Sequence, residues 1–184
     1  MTSVVGLAMP GGPAFVDALR RCWDDGDAVA PIDPGLPPAA RDRLLDGLAP
    51  DVVLHIDGTR QNRPEGRPTE PGDALVVPTS GTTGVARGVV LTHAAIEASA
   101  RATSTRLEVD PDRDRWLACL PLSHVGGLSV VTRALVTGTA LEVHPGFDAR
   151  AVTDAADAGA TLVSLVPTAL DRIEPAAFRT VLLG

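Results

Sequence analysis

Residues Thr79 to Gly88 read Thr-Ser-Gly-Thr-Thr-Gly-Val-Ala-Arg-Gly. Gly81, Gly84 and Gly88 permit positive φ and close backbone approach, so amide N–H groups can converge on an anion. Thr79, Ser80, Thr82 and Thr83 add hydroxyl donors without bulk. Arg87 adds a permanent charge on a forked donor set. That density of donors around one cation suits a polyphosphate. The stretch is not a Walker A loop, which closes a spaced glycine pair with Lys and then Ser or Thr. The competing reading is a glycine-rich hairpin that binds nothing. The apolar runs Ala74–Pro78 and Val89–Thr92 on either side read as strands, which sets the loop at the edge of a core.

A second stretch, Trp116 to Ser129, reads Trp-Leu-Ala-Cys-Leu-Pro-Leu-Ser-His-Val-Gly-Gly-Leu-Ser. His124 is the one histidine of four that stands before a pair of glycines, Gly126 and Gly127, which leave room next to its imidazole. It is either a ligand-facing group or a satisfied core histidine. His55 reads as an ordinary strand residue, His93 as a helix start and His144 as a solvated strand end.

These two stretches resemble the signature segments of the adenylate-forming superfamily: acyl-CoA synthetases, peptide-synthetase adenylation domains and luciferases. The family loop is Ser/Thr-Ser-Gly-Ser/Thr-Thr-Gly-x-Pro-Lys-Gly. This chain carries Ala86 for the proline and Arg87 for the lysine. The chain has no lysine at all, its sixteen basic residues being arginine, so the second change follows its composition. Pro121-Leu-Ser-His-Val-Gly is similar to the family's Leu-Pro-Leu-Phe-His-x-x-Gly segment. Thr161-Leu-Val-Ser-Leu-Val-Pro-Thr168 is similar to its Val-Pro-Thr segment. Within the superfamily the His124 segment looks most like that of the o-succinylbenzoate–CoA ligases of menaquinone synthesis.

The resemblance implies an enzyme using ATP, Mg²⁺ and coenzyme A to join a small carboxylic acid to a thiol. It assigns Thr79, Ser80, Gly81, Thr82, Thr83, Gly84, Arg87 and Gly88 to the ATP phosphates. It assigns His124 to the acyl pocket, with Gly126 and Gly127 opening the floor. It places no catalytic residue and no metal ligand within the chain. It also implies a partial AMP-binding (adenylation) domain over residues 1–184, without the carboxy-terminal lysine-bearing domain. A half enzyme of this kind is expected to be inactive alone and to self-associate as a homo-oligomer. The alternative is a half-domain that binds nucleotide or pyrophosphate, or only itself, without chemistry.

Composition narrows the class. The chain has 184 residues, 45% hydrophobic and only 3% aromatic, so its core is built from Ala, Val and Leu. A net charge of −7 gives no electrostatic reason to bind nucleic acid. Cys22 and Cys119 sit in apolar runs and read as reduced core residues. No run reaches membrane-spanning length and no signal peptide is evident, so a cytoplasmic protein is expected.

Strands are expected near residues 28–32, 51–56, 74–78, 89–92, 115–120, 139–144, 161–166 and 180–183. Helices are expected over 13–25, 38–48, 92–107, 127–137, 149–158 and 168–172. Residues 57–72, with Pro64, Pro68 and Pro71, read as a surface loop. The alternation predicts an α/β fold of parallel β-sheets flanked by helices.

Overall fold

The computed structural model describes residues 2–79 and 87–184. It divides into two compact units, Met1–Ala95 and Ile96–Gly184. Both are α/β, as the alternating apolar patterns predict.

The first unit runs β1 (Val4–Ala8), α1 (Pro13–Asp24), β2 (Ala28–Ile32), α2 (Pro38–Leu48), β3 (Val52–His55), β4 (Arg60–Asn62), β5 (Asp73–Thr79) and β6 (Arg87–Thr92). Its strands form one sheet in the order β4-β3-β1-β2-β5-β6. The middle of the sheet is parallel, with β1 between β2 and β3 and β5 alongside β2. Both edges are antiparallel, β4 on β3 and β6 on β5. The sheet is therefore mixed, not wholly parallel. Val4 to Ala8 is buried along its whole length. This central strand went unread because an apolar run of five residues at a chain start carries no period to identify it.

α2 packs Leu45 and Leu48 against Val4, Ala30, Ile32 and Val76. α1 covers β1 and β2 with Phe15, Ala18, Leu19 and Cys22. Residues 57–72 are not simply a surface loop. Arg60–Asn62 pairs with β3, Arg63 N–H donates to Asp51 O (2.8 Å) and Arg67 N–H donates to Ala49 O (2.8 Å). Backbone donors that find carbonyls in this way dock the segment on the end of α2 and the start of β3.

The helix α3 (His93–Arg106) carries the chain from the first unit into the second. Thr92 caps its start, accepting from Ala95 N–H at 3.2 Å, a role that threonine favours. The second unit continues with β7 (Arg115–Ala118), α4 (Val125–Thr137), β8 (Ala140–Val143), α5 (Ala149–Asp157), β9 (Leu162–Leu165), α6 (Pro167–Leu170) and β10 (Thr180–Leu183). Its sheet, β10-β9-β7-β8, is parallel throughout. Asp148 caps α5 through Ala151 N–H (2.9 Å). Leu117 and Cys119 face α5, with Val152, Ala155, Val163 and Leu165. Cys22 and Cys119 are free and buried, and burial pushes both thiols up to about 11, so they stay protonated.

One polar cluster ties this unit together. Asp114 is 5% exposed and accepts from Arg179 Nη2 (2.6 Å), Arg179 Nε (3.0 Å), Thr161 Oγ1 (2.8 Å) and Asp110 N–H (2.9 Å). Burial alone would raise its carboxyl. The Arg179 fork, the amide and the hydroxyl outweigh that and hold it below the ordinary carboxylate range. The folded pKa is depressed, so the stabilisation is complete above the unfolded value, about 3.9, and is lost as pH falls through the folded one. Asp114→Asn should cost about 1–3 kcal/mol near neutral pH, the lower part reflecting the partial exposure of Arg179. Urea unfolding of both proteins at about pH 7 and about pH 3 checks this. The gap between them should shrink on acidification.

Candidate functional site

Residues 80–86, which include Ser80, Gly81, Thr82, Thr83 and Gly84 of the expected phosphate loop, lie outside the described residues. The flanks are described. Thr79 pairs with Arg87 and Pro78 with Gly88, the last two pairs of the β5–β6 ladder. Thr79 Oγ1 donates to Arg87 O at 3.2 Å. That hydroxyl proton closes the hairpin and is not free for a phosphate. Arg87 is exposed and makes no ion pair with a described residue. A β-carbon added at Gly88 would lie 2.5 Å from Val76 Cγ1, 2.8 Å from Arg67 Nη1 and 3.0 Å from Leu48 Cδ2. The last glycine of the sequence pattern thus serves close packing at the sheet edge. Lower on the same hairpin, Trp23 Nε1 donates to Ala74 O at 2.9 Å, and the Trp23 ring meets His93 edge-on at 5.1 Å. These contacts brace β5 and the start of α3 against α1.

His124, Gly126 and Gly127 belong to the second unit. In the order β10-β9-β7-β8, the chain leaves β7 toward one edge and leaves β9 toward the other. The crevice beyond the carboxyl ends of β7 and β9 is therefore a topological switch point, where open parallel sheets receive ligands. Ser123, His124 and Val125 follow β7 there, and Val166 and Pro167 follow β9. His124 is exposed at the N-cap of α4, with extended backbone (φ −114°, ψ 147°). Its imidazole makes no hydrogen bond to a described residue, whereas its backbone bonds to Pro121 O and Leu128 N–H. It is not a core histidine. Val125 (59% exposed) and Val166 (37%) give this rim an apolar border.

α4 begins at Val125, two residues before the expected start, so Gly126 and Gly127 lie in its first turn. Gly127 is buried. A β-carbon there would fall 2.5 Å from Leu120 O and 2.6 Å from Pro121 O. Its missing side chain lets the helix start tight against the turn leaving β7. The room expected at Gly127 is filled by backbone. Gly126 has only Leu120 Cδ1 nearby, at 3.7 Å from an added β-carbon.

Two turns along α4, on the Gly126 stripe, stands Arg133, the single charged residue of the helix. Its Nη2 donates to Ser129 Oγ (3.1 Å) and its guanidinium carbon lies 5.3 Å from the centre of the Trp116 ring. Nη1 is buried and unpartnered among the described residues, as is Trp116 Nε1. Desolvation pulls the Arg133 pKa below its ordinary value, though an arginine stays charged. A lone charge inside an apolar helical stripe was the signal that could have singled it out. His144, expected to be solvated, is instead largely buried and binds Glu142 Oε1 through Nε2 at 2.9 Å.

A mixed sheet ending in the Thr79–Arg87 hairpin pair, and a parallel sheet with a switch point at its carboxyl edge, define an α/β protein of two sheet units. Residues 55–181 match the family of AMP-binding enzymes, and the chain belongs to that family. The 2-succinylbenzoate–CoA ligase of Bacillus anthracis (strain A0248) is 39% identical over 118 residues, 59% of this chain and 24% of that protein. The ligase of the same name from Bacillus mycoides (strain KBAB4) is 38% identical over the same shares. The o-succinylbenzoate CoA synthetase of Bacillus subtilis, in complex with the acyl-adenylate intermediate OSB-AMP, superposes with a TM-score of 0.83 at 22% identity. That match covers 98% of this chain and 55% of the synthetase. An E. coli MenE variant with bound OSB-AMS gives 0.77 at 28% identity, covering all of this chain and 44% of the variant. The chain thus spans about a quarter of the curated relatives it matches and about half of the solved ones.

Gly127→Ala should destabilise the second unit by about 1–3 kcal/mol, because two backbone carbonyls must give way. Gly126→Ala, with open space beside it, should cost no more than the helix gains. Thermal unfolding of the two variants side by side tests the assignment.

Proposed function

We propose that this chain is the amino-terminal part of an ATP-dependent acid–CoA ligase acting on 2-succinylbenzoate or a similar acid. In that chemistry the carboxylate attacks the α-phosphate of ATP and expels pyrophosphate. A thiol, coenzyme A, then attacks the acyl-adenylate and releases AMP. The observation that carries the reading is the closed hairpin of Thr79 and Arg87, which holds both ends of the Ser/Thr/Gly stretch at one point within a family match. The stretch 80–86 supplies amides and hydroxyls for phosphate oxygens, and Arg87 offsets their charge. Mg²⁺ chemistry, when the nucleotide brings that ion, neutralises phosphate charge. Among the described residues no group of His, Cys, Asp or Glu gathers to hold a metal.

His124 and the amino end of α4 suit the reacting carboxylate, through an imidazole donor and helix amides. Arg133 suits a second carboxylate at the far end of the acid. It is a half-buried cation whose Nη1 is buried and unpartnered among the described residues, seven residues along α4 from Gly126. 2-Succinylbenzoate carries two carboxylates, which favours it over a simple fatty acid. A cytoplasmic location is part of this proposal; no helix among the described residues is long and apolar enough to cross a membrane. A non-catalytic half-domain that binds nucleotide or pyrophosphate, or only itself, is the second reading.

The 184-residue chain should bind ATP, and Arg87→Gln should weaken that binding about tenfold or more. It should show no ATP–pyrophosphate exchange alone. Titration calorimetry and the exchange assay decide between the readings. Exchange by the pure chain would overturn its assignment as an incomplete enzyme, and absence of ATP binding would favour the second reading. In a full-length ligase carrying this segment, Arg133→Gln should raise KM for the acid about tenfold or more and leave KM for ATP unchanged.

A further inference from the structure

Trp116 has no role in the reading above, yet it carries a buried donor with nothing to receive it. Of the chain's two tryptophans, Trp23 donates its Nε1–H to Ala74 O at 2.9 Å. Trp116, on the interior strand β7, is 0% exposed, and its Nε1 has no partner among the described residues. A second orphan stands beside it. The Arg133 guanidinium lies over the Trp116 ring, and its Nη1 is also buried and unpartnered among the described residues. Acceptors on the same helix are otherwise engaged. Ser129 Oγ accepts from Arg133 Nη2 and donates to Gly126 O (3.2 Å), and Thr132 Oγ1 donates to Ser129 O (3.2 Å). Glu142 belongs to the other face of the sheet, because it is in register with Leu117, which packs under α5. A buried donor left unpaired costs its full desolvation, so each such group in a native fold needs a partner. Two of them in one stacked pair, one of them cationic, suit an anionic oxygen acceptor.

We propose that Trp116 is a specificity-determining residue, its indole N–H joining Arg133 Nη1 in donating to one carboxylate of a dicarboxylic acid bound along α4. The inference rests on the reading of Arg133 as the cation for a second carboxylate, and adds to it a neutral donor. A carboxylate accepts through two oxygens, so each donor can take one. The ring and Ser129 also hold the guanidinium from two sides, which leaves Nη1 for the ligand. An approach exists along the half-exposed stripe Gly126, Ser129 and Arg133, which interrupts the buried Gly127, Leu128, Val130, Val131 and Thr132. An acid with a single carboxylate would leave both donors unpaired. A site built to pair a polar group rejects a ligand that lacks it, so the two donors together select against monocarboxylic acids.

Proton–nitrogen correlation spectra of the whole chain, titrated with 2-succinylbenzoate and with benzoate, test this. Trp116→Phe assigns the two indole signals by deleting one. 2-Succinylbenzoate should move the Trp116 indole proton downfield and slow its exchange with solvent, while the Trp23 signal stays in place. Benzoate should do neither. Trp116→Phe keeps a ring under Arg133 and removes the donor, so it should bind 2-succinylbenzoate about tenfold more weakly. If Arg133→Gln loses the acid while Trp116→Phe binds it as the wild type does, the arginine acts alone and the proposal fails. If Trp116→Phe melts early, the wild-type spectrum decides by itself, and a Trp116 signal unmoved at saturation with 2-succinylbenzoate overturns the proposal. If the wild type does not bind 2-succinylbenzoate, or Arg133→Gln binds it unchanged, the reading of Arg133 itself falls, and this inference with it.

Discussion

Antiparallel pairing of Thr79 with Arg87 is the constraint on which the edge of the first unit's sheet depends. A stretch rich in Gly, Ser and Thr has little conformational preference of its own and loses much entropy when ordered. Fixing its two ends one strand spacing apart removes part of that cost before any ligand arrives. The pairing rests in turn on β5, whose residues Ala74 to Val77 are buried and whose Ala74 carbonyl receives the Trp23 indole N–H. The core of the first unit, by way of Trp23 and β5, thus sets where the hairpin strands stand.

The second unit depends on a different device. Its four strands run in parallel, so every connection leaves from the same end, and the order β10-β9-β7-β8 makes those connections diverge between β7 and β9. Covering helices must then lie on opposite faces. The apolar side chains show this directly, with Leu117 packed under α5 and Trp116 under Arg133 of α4. Gly127 lets α4 start against the carbonyls of Leu120 and Pro121, which brings its N-cap, His124, to the rim of the divergence. The Asp114–Arg179–Thr161 cluster joins the segment before β7 to β9 and β10 at the other end of the strands. The rim therefore stays open while the base of the sheet is locked.

Much of this was legible in the residues. Phe15, Leu19 and Trp23 at helical spacing, the caps Thr92 and Asp148, and the run Leu162–Leu165 gave helices and strands close to their observed positions. Local chemistry decides each of these. What escaped were features set by contacts distant in sequence. β4 is short and polar, Arg-Gln-Asn, and is a strand only because β3 offers it an edge. Gly88 and Gly127 look like loop-opening glycines, but each is a glycine because a distant or backbone atom occupies the place of its side chain. Arg133 and Arg67 look like surface arginines until packing shows one under Trp116 and the other across a strand. A motif can be named from the chain alone, whereas contacts created by tertiary approach cannot.

The absence of lysine gives these arginines a common physics. An ammonium is strongly hydrated and shifts readily to its neutral form when buried, whereas a guanidinium is more weakly hydrated, stays charged and stacks on aromatic faces. Arg133 over Trp116 and Arg172 over Phe147, at 5.3 and 5.1 Å, are both arrangements of that kind. The same property bears on position 87, where the family's usual residue is lysine. A lysine there would deliver a point charge through a flexible stem. Arg87 delivers a planar fork from a backbone clamped to Thr79, and without the neighbouring proline that clamp is what limits its orientation. The backbone at position 87 thus takes its place from the last ladder pair of the hairpin.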